Sequence, residues 1–511
     1  MTTTPLLDEV GEGREAAASK APSGASPSPH HRAHWWVLIV ACLAQLMVVL
    51  DATIVNIALP TAQADIGFSN DNRQWIVTGY ALAFGSLLFV GGRLGDLVSR
   101  KTMMLVGLVG FAAFSALGGT ATTFGVLVTA RVGQGVFGAI LAPTALALIT
   151  TTFTEARERG RAFAVYGALS GAGGAIGLVL GGALTEYASW RWCLYVNIPI
   201  AVLALLGVAF LLPRGVRDDG ARERGIDLPG AVLSVAGLVA LVYGLGTAES
   251  DGWTSATTLG FIGVGLLLLA AFVIVERRVA HPLLPLKVVL DRNRGGSFLA
   301  IGLSAIGMFG VFLFLTYFMS TVLGFKPFPT GLAFLPMIGG LMLSAQTAPM
   351  VVIRLGTKIP VVIGFSVAAL GMLWLTRLDL ASSYAGGVLP GLIVVGLGLG
   401  FVFPPAMSGA TDRVDPHHAG VASAGVNTFQ QIGGSIGTAV LSALASSAAA
   451  SYLVGRDATD PLVQAQAGME SYTRVFLASA IVFAAGAVIT GLLLRHGALE
   501  RDPEAAPVVG H

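Results

Sequence analysis

Apolar residues run along this chain in long blocks, broken by short stretches rich in charge, glycine or proline. A helix that crosses a hydrocarbon layer needs about 18 or more such residues. Blocks of that length occur fourteen times, near 35–59, 74–92, 102–120, 123–150, 161–184, 194–212, 228–246, 257–275, 296–320, 331–352, 359–376, 386–408, 420–446 and 473–494. The pattern predicts an all-α polytopic membrane protein. An even number of spans places both chain ends on one side. The first block is too long for a cleaved leader and has no basic segment before it. Residues 1–33, ending in APSGASPSPH, read as a disordered tail.

Loop lengths divide the spans unevenly. A polar stretch at 214–227 follows a first six-span half at 34–213, and a second at 276–295 follows an extra pair at 228–275. A second six-span half occupies 296–494, and 495–511 forms a tail. Two six-helix halves around a central cavity, with two extra central helices, are a plan that transporters use.

Composition agrees with a bilayer as solvent: 54% of the 511 residues are hydrophobic and 11% are charged, against roughly 25% charged in a soluble protein. Mean hydropathy is +0.78. The net charge of +2 carries no sign of a nucleic-acid partner. The placement of charge says more than its sum. Of the 30 lysines and arginines, Arg73, Arg191, Lys326, Arg377, Arg456 and Arg474 fall on one side, Arg131 lies inside a span, and the remaining 23 share the side of the termini. The positive-inside rule makes that the cytoplasmic side of a cytoplasmic membrane. Cys42 and Cys193 fit no metal or redox spacing and sit too far apart in the predicted topology to bridge.

Two charges lie deep in the spans. Asp51, in LDATIVNIALP of span 1, and Arg131, in LVTARVGQGVFGAI of span 4, each cost about 2.5 kcal/mol or more to bury in a membrane, so each should face the interior. At 1.5 Å per residue, Asp51 lies about 10 Å below the outer boundary and Arg131 roughly 12 Å from the outer end of its own span. Similar depth lets them pair; two unrelated charges, each facing water in the cavity, are the alternative.

After span 2 comes GRLGDLVSRK, with Gly92, Leu94, Asp96, Arg100 and Lys101. A tight inner turn of this kind uses glycine to bend, an acid to cap a neighbouring helix and basic residues to hold its side. Span 5 carries Gly173, Gly177 and Gly181 four apart, followed by Gly182. Such spacing lets two helix backbones touch, and Gly433 and Gly437 in span 13 offer the same. Trp190 and Trp192 suit an outer interfacial belt.

The inner loop resembles the signature loop of the major facilitator superfamily, with Ser99 where the second glycine usually stands. The span 5 glycines are similar to the antiporter signature of that superfamily, with Leu178 in place of its proline. WRWCLYVNIP, ERRVAHPLLPL and GVASAGVNTFQQIGGSIG, with LDATIVNIALP and fourteen spans, complete a resemblance to the drug:proton antiporter branch over roughly residues 35–495. The resemblance implies a proton-coupled antiporter that exports drug-like hydrophobic or cationic compounds, such as antibiotics. It implies Asp51 and Arg131 as the proton-coupling pair and Gly92, Asp96, Arg100 and Lys101 as a conformational switch loop. An uptake symporter on the same fold, or a membrane receptor or scaffold without transport, are the alternatives.

Span residues that could line a substrate cavity are Asn56, Tyr80, Phe84, Gln134, Tyr166, Phe314, Tyr317, Gln430 and Gln431. Spans 9–14 hold no acid away from their ends; some relatives that expel divalent cations carry one there, so the resemblance implies monovalent, neutral or zwitterionic substrates. No phosphate-binding loop occurs, so the expectation is a carrier driven by the proton gradient with no ATP site, no metal and no cofactor. Its partners are then the bilayer, protons and a small molecule.

Overall fold

A computed structural model describes residues 29–153, 156–211, 227–279, 282–284, 286–411, 414 and 419–495. The two tails, most of the loop between spans 6 and 7 and the side chain of Asp96 lie outside the described residues. The helices are α1 Pro29–Ile66, α2 Asn70–Leu97, α3 Arg100–Gly119, α4 Phe124–Thr152, α5 Ala156–Tyr187, α6 Asn197–Leu211 and α7 Leu228–Asp251. They continue with α8 Ala256–Glu276, α9 Arg292–Thr321, α10 Leu335–Leu355, α11 Lys358–Leu375, α12 Leu389–Thr411, α13 Ala419–Leu453 and α14 Pro461–Leu493. A short turn of helix, Pro327–Ala333, precedes α10. Among the described residues thirteen helices are long and apolar enough to cross a membrane, and the 32-residue α5 is the remaining long helix of the set. Helices solve the problem of a backbone in lipid because every N–H and C=O within them is paired.

Several helices outrun their apolar blocks. α1 begins at Pro29, and α14 begins at Pro461, twelve residues before its block, with Asp460 accepting from Leu462 N as its N-cap. The polar first turns of α14 extend the helix beyond hydrocarbon, where hydropathy carries no signal.

In the first half α4 packs on α2, α3 and α1, while α1 packs on α5 and α6. In the second half α9 packs on α13, α14 and α12, and α11 lies between α12 and α14. The added pair α7–α8 leans on α13 and α2 through α7, where Leu238 and Val242 meet Leu82 and Ala439. α8 is covered mainly by α7 and is otherwise exposed.

The cores are not symmetric across the thickness of the molecule. On the face away from the chain ends, the far face, α1 residues such as Ile54 and Leu59 share one cluster with Phe314, Phe318 and Phe334 of the second half. On the face with the chain ends, Val37, Met47, Met104, Phe111 and Phe153 form a separate cluster of the first half into which, among the described residues, Ala424 of the second half packs. The apolar core is therefore continuous between the halves on the far side, while on the near side the first half keeps a core of its own and α2 packs on α13.

α1 and α5 touch backbone to backbone. A side chain on Gly177 would lie 2.0 Å from Thr53 Oγ1, and one on Gly181 2.8 Å from the Ile54 carbonyl. Gly173 meets Val49 and Leu46 at ordinary distance or slightly less. Gly433 and Gly437 bring α13 onto Gly302 and Ile306 of α9 in the same way.

Candidate functional site

Asp51 and Arg131 meet in the interior of the first half. Arg131 Nη1 donates to Asp51 Oδ2 at 2.6 Å, with 0% of Asp51 and 2% of Arg131 exposed. The other carboxylate oxygen, Oδ1, accepts from Gln134 Nε2 and from Asn197 Nδ2, both at 2.8 Å. Arg131 also donates to Gln134 Oε1 at 2.8 Å and, through Nε, to the Ile76 carbonyl at 3.2 Å. Its guanidinium lies 4.4 Å from the centre of the Tyr80 ring. Ser115 Oγ accepts from Gln134 at 2.7 Å and from Asn197 at 3.3 Å.

A buried ion pair holds only when its remaining lone pairs and protons find partners, because desolvation offsets the Coulomb attraction. Here both carboxylate oxygens and the Nε and Nη1 hydrogens of Arg131 find partners, in an assembly drawn from five helices: α1 (Asp51), α2 (Ile76, Tyr80), α3 (Ser115), α4 (Arg131, Gln134) and α6 (Asn197), whose own Oδ1 is buried without a donor. Gln134 follows Arg131 by three positions, one helical turn, which puts both on one face of α4. Beside Arg131 lies a void of about 10 Å³ walled by Val55, Ile76, Leu127, Trp190 and Leu194, close to the smallest space that holds one water.

The lining predicted for a substrate cavity distributes over several environments. Tyr80 and Gln134 belong to the ion-pair assembly, and Phe84 stacks on Tyr80 with ring centres 5.8 Å apart. Phe314 and Tyr317 sit under Arg73 of α2, whose guanidinium carbon is 5.4 and 4.4 Å from their ring centres. Tyr317 Oη also donates to Gln63 Oε1 of α1 at 2.6 Å. These contacts seal the far side between the halves. Tyr166 donates to Gln45 at 2.7 Å on the near side of Asp51. Asn56 donates to the Ala52 carbonyl, and its own oxygen is buried without a donor. Gln430 and Gln431 are half-buried on α13, and the Cβ of Gln431 presses on Gly85 of α2.

The far seal includes α5. A side chain on Gly182 would meet the Pro327 carbonyl at 2.5 Å, and Glu186 Oε2 accepts from Phe328 N at 3.0 Å. Gly173, Gly177 and Gly181 thus join α5 to α1, whereas Gly182 joins it to the other half. Where the signature has proline, Leu178 is fully buried and α5 runs through it as continuous helix.

In the inner loop, Ser99 acts as the N-cap of α3: its Oγ accepts from Thr102 N at 3.2 Å, with φ of −66°. A residue in ordinary extended backbone suffices there, which explains why glycine is dispensable. Gly92 faces Pro143 of α4 at ordinary contact distance. Lys101 Nζ donates to the Ala209 carbonyl at 3.1 Å, tying α3 to the end of α6, and Arg100 is partly exposed in the first turn.

One expectation is overturned. Trp190 is buried, not part of an interfacial belt: its Nε1 donates to Asp65 Oδ2 at 2.9 Å and Arg191 stacks on its ring. Arg191 Nη1 donates to the same oxygen at 2.6 Å. The indole turns inward because α1 supplies an acceptor; Trp192 alone stays exposed. Sequence reasoning also missed Asn197 and Ser115. Asn197 lay within WRWCLYVNIP, where an amide one turn into an apolar span was the available signal. Cys42 and Cys193 are both free and buried.

Residues 41–438 match the family model described as the Major Facilitator Superfamily. The chain is 47% identical over 503 residues to the puromycin resistance protein of Streptomyces alboniger, covering 97% of each. It is 38% identical to the cephamycin export protein of Amycolatopsis lactamdurans, over 79% of this chain and 83% of that one. In fold it is similar to the crystal structure of a bacterial homologue of the human lysosomal transporter Spinster, inward-facing and unoccupied, with TM-score 0.62 at 14% identity, covering 92% of this chain and 98% of that one.

Proposed function

The chain belongs to the major facilitator superfamily, and from that premise we propose that it is a proton-coupled antiporter exporting drug-like, hydrophobic or cationic compounds of the antibiotic type across the cytoplasmic membrane. Relatives named for antibiotic resistance and export support the cargo class. The observation that carries the coupling is the buried Asp51–Arg131 pair, in which a carboxylate at membrane depth has a cation and two amides as partners. Both termini are then cytoplasmic, the far face is external, and the proton gradient rather than ATP supplies the work. The halves 34–213 and 296–494 rock about the seam, with 228–275 as an appended pair.

The geometry supplies a route from proton to gate. Protonating Asp51 removes the carboxylate from Arg131 and frees α1 from α4 at that depth. α1 also carries Gln63, which holds Tyr317, and Ile76, which accepts from Arg131, lies one turn from Arg73. The pair thus links the charge on Asp51 to the two helices that close the external side: for exchange, a proton taken up from outside favours the externally closed state, and its release to the cytoplasm precedes export of the cargo. Substrate enters from the cytoplasmic side, and Asp96, Arg100 and Lys101 close that side in the opposite state.

The test is proton-driven accumulation of a fluorescent cationic dye in everted vesicles. The wild type should accumulate it and Asp51→Asn should not. Undiminished accumulation by Asp51→Asn would move the proton site elsewhere, and no accumulation by the wild type would sink the export reading.

A further inference from the structure

A buried pair of acids lies at the near face of the added helices, where the mechanism above makes no use of it. Asp227 precedes α7 as its N-cap, and Glu276 is the last residue of α8; 6% and 4% of them are exposed. Both carboxylates converge on one point of the backbone. A side chain on Gly230 would lie 2.3 Å from Asp227 Oδ2 and 3.0 Å from Glu276 Oε1, and the two acid side chains are hydrogen-bonding neighbours.

The donors around them leave one oxygen without a partner. Glu276 Oε1 accepts from Leu283 N at 3.2 Å and Oε2 from Leu284 N at 3.1 Å. Asp227 Oδ1 accepts from Gly230 N at 2.9 Å. Asp227 Oδ2 is buried and has no donor. Among the described residues no lysine, arginine or histidine forms an ion pair with either acid. Arg277 and Arg278, next in the chain, are exposed. From α7 and from the loop, backbone amides are the groups that hydrogen-bond to the pair.

Two buried carboxylates in contact, with no cation, repel strongly if both are ionised. A hydrogen on one of them removes one charge and supplies the donor that Asp227 Oδ2 lacks. A metal ion fits poorly: three of the four oxygens already accept N–H groups, whose positive ends point at the site, and the described residues contain no cluster of three or more ligating side chains. We infer that Asp227 and Glu276 bind one proton between them, and that this carboxyl–carboxylate bond fastens the loop at 282–284 to the start of α7. That loop leads into α9, whose first turn is capped by Asp291, so the proton ties the added pair to the second half. This inference does not depend on the role proposed for Asp51.

Infrared spectroscopy of the full-length protein in lipid nanodiscs tests it, by following the C=O band of a protonated carboxyl while pH rises from neutral. In Glu276→Gln the new amide N–H can donate to Asp227 Oδ2 as the protonated acid would, while its oxygen keeps one of the two loop N–H groups and the other loses its acceptor; this variant should fold. The band should be present in the wild type, persist in Asp51→Asn, and be absent from both Glu276→Gln and Asp227→Asn. Thermal unfolding gives a second readout. The native pair holds a proton that the unfolded acids have released, so wild-type stability should fall as pH rises through the titration of the pair. That slope should vanish in Glu276→Gln. A band unchanged in both variants, with parallel stability curves, overturns the inference. Stabilisation of the wild type, but not of the variants, by millimolar Mg²⁺ or Ca²⁺ would make this a cation site and overturn it equally.

Discussion

Removing the charge of Asp51 while keeping its shape should strand Arg131. In Asp51→Asn the substituted amide can still accept from Gln134 or Asn197 through its oxygen, but its N–H₂ would face Arg131 Nη1, donor against donor, at a position now 2.6 Å away. The guanidinium is 2% exposed, so bulk water cannot replace the lost carboxylate. Breaking a buried pair on one side costs about 3–5 kcal/mol, whereas removing both partners is often neutral. Arg131→Met alone should cost a similar amount by stranding Asp51. The double variant should then lie within about 1–2 kcal/mol of wild type, a coupling of at least ~3 kcal/mol, far above the roughly 0.3–0.5 kcal/mol scatter of independent sites. Since about 1.4 kcal/mol is tenfold, the double variant should be more than a hundredfold less prone to unfold than simple addition of the two losses implies. Steric-trap unfolding in bicelles on all four proteins reads this directly. Costs that simply add would refute the claim that these residues form one energetic unit.

Four further outcomes follow from the geometry. Tyr317→Phe removes one hydrogen bond across the far seam, about 1 kcal/mol, and should raise the share of molecules open on that side several-fold; spin-label distances between α1 and α9 would show it, and an unchanged distribution would remove Tyr317 from the gate. Gly177→Ala forces Cβ against Thr53 Oγ1 and should cost about 1–3 kcal/mol of stability, partly recovered by adding Thr53→Ala; a lack of recovery would mean the overlap relaxes elsewhere. In a background lacking Cys42 and Cys193, single cysteines replacing Asp251 and Lys326 should react with an impermeant reagent from outside intact cells, and one replacing Arg354 should not; the reverse pattern would invert the topology. Asp96→Asn should insert normally yet slow turnover, and wild-type transport rates would leave that loop with topology as its one role.

Hydropathy made the spans legible because a bilayer imposes length and apolarity on each helix separately. The two deep charges were legible for the same reason, since the membrane makes Asp51 and Arg131 expensive and their counted depth matches. Ser115 and Asn197 are neutral, cheap to insert and scattered over other helices, so nothing local marked them as ligands of Asp51. Trp190 went the other way. An indole near a span end reads as interfacial, yet its direction depends on Asp65, 125 positions earlier in the chain. The same limit applies to Tyr317 and Phe314, whose aromatic character was plain while their engagement with Arg73 depended on how the halves close.

The assembly around Asp51 draws every side chain from the first half: Tyr80, Ser115, Arg131, Gln134 and Asn197 all precede the added helices. The wall contributed by α9–α14 therefore has its own genetic stretch, separate from the ion pair. Mutation can rework that wall, or recombination can exchange it wholesale near residues 212–227, without disturbing a single ligand of Asp51. Sequence change confined to that half of the gene leaves every hydrogen-bonding partner of Asp51 as it stands.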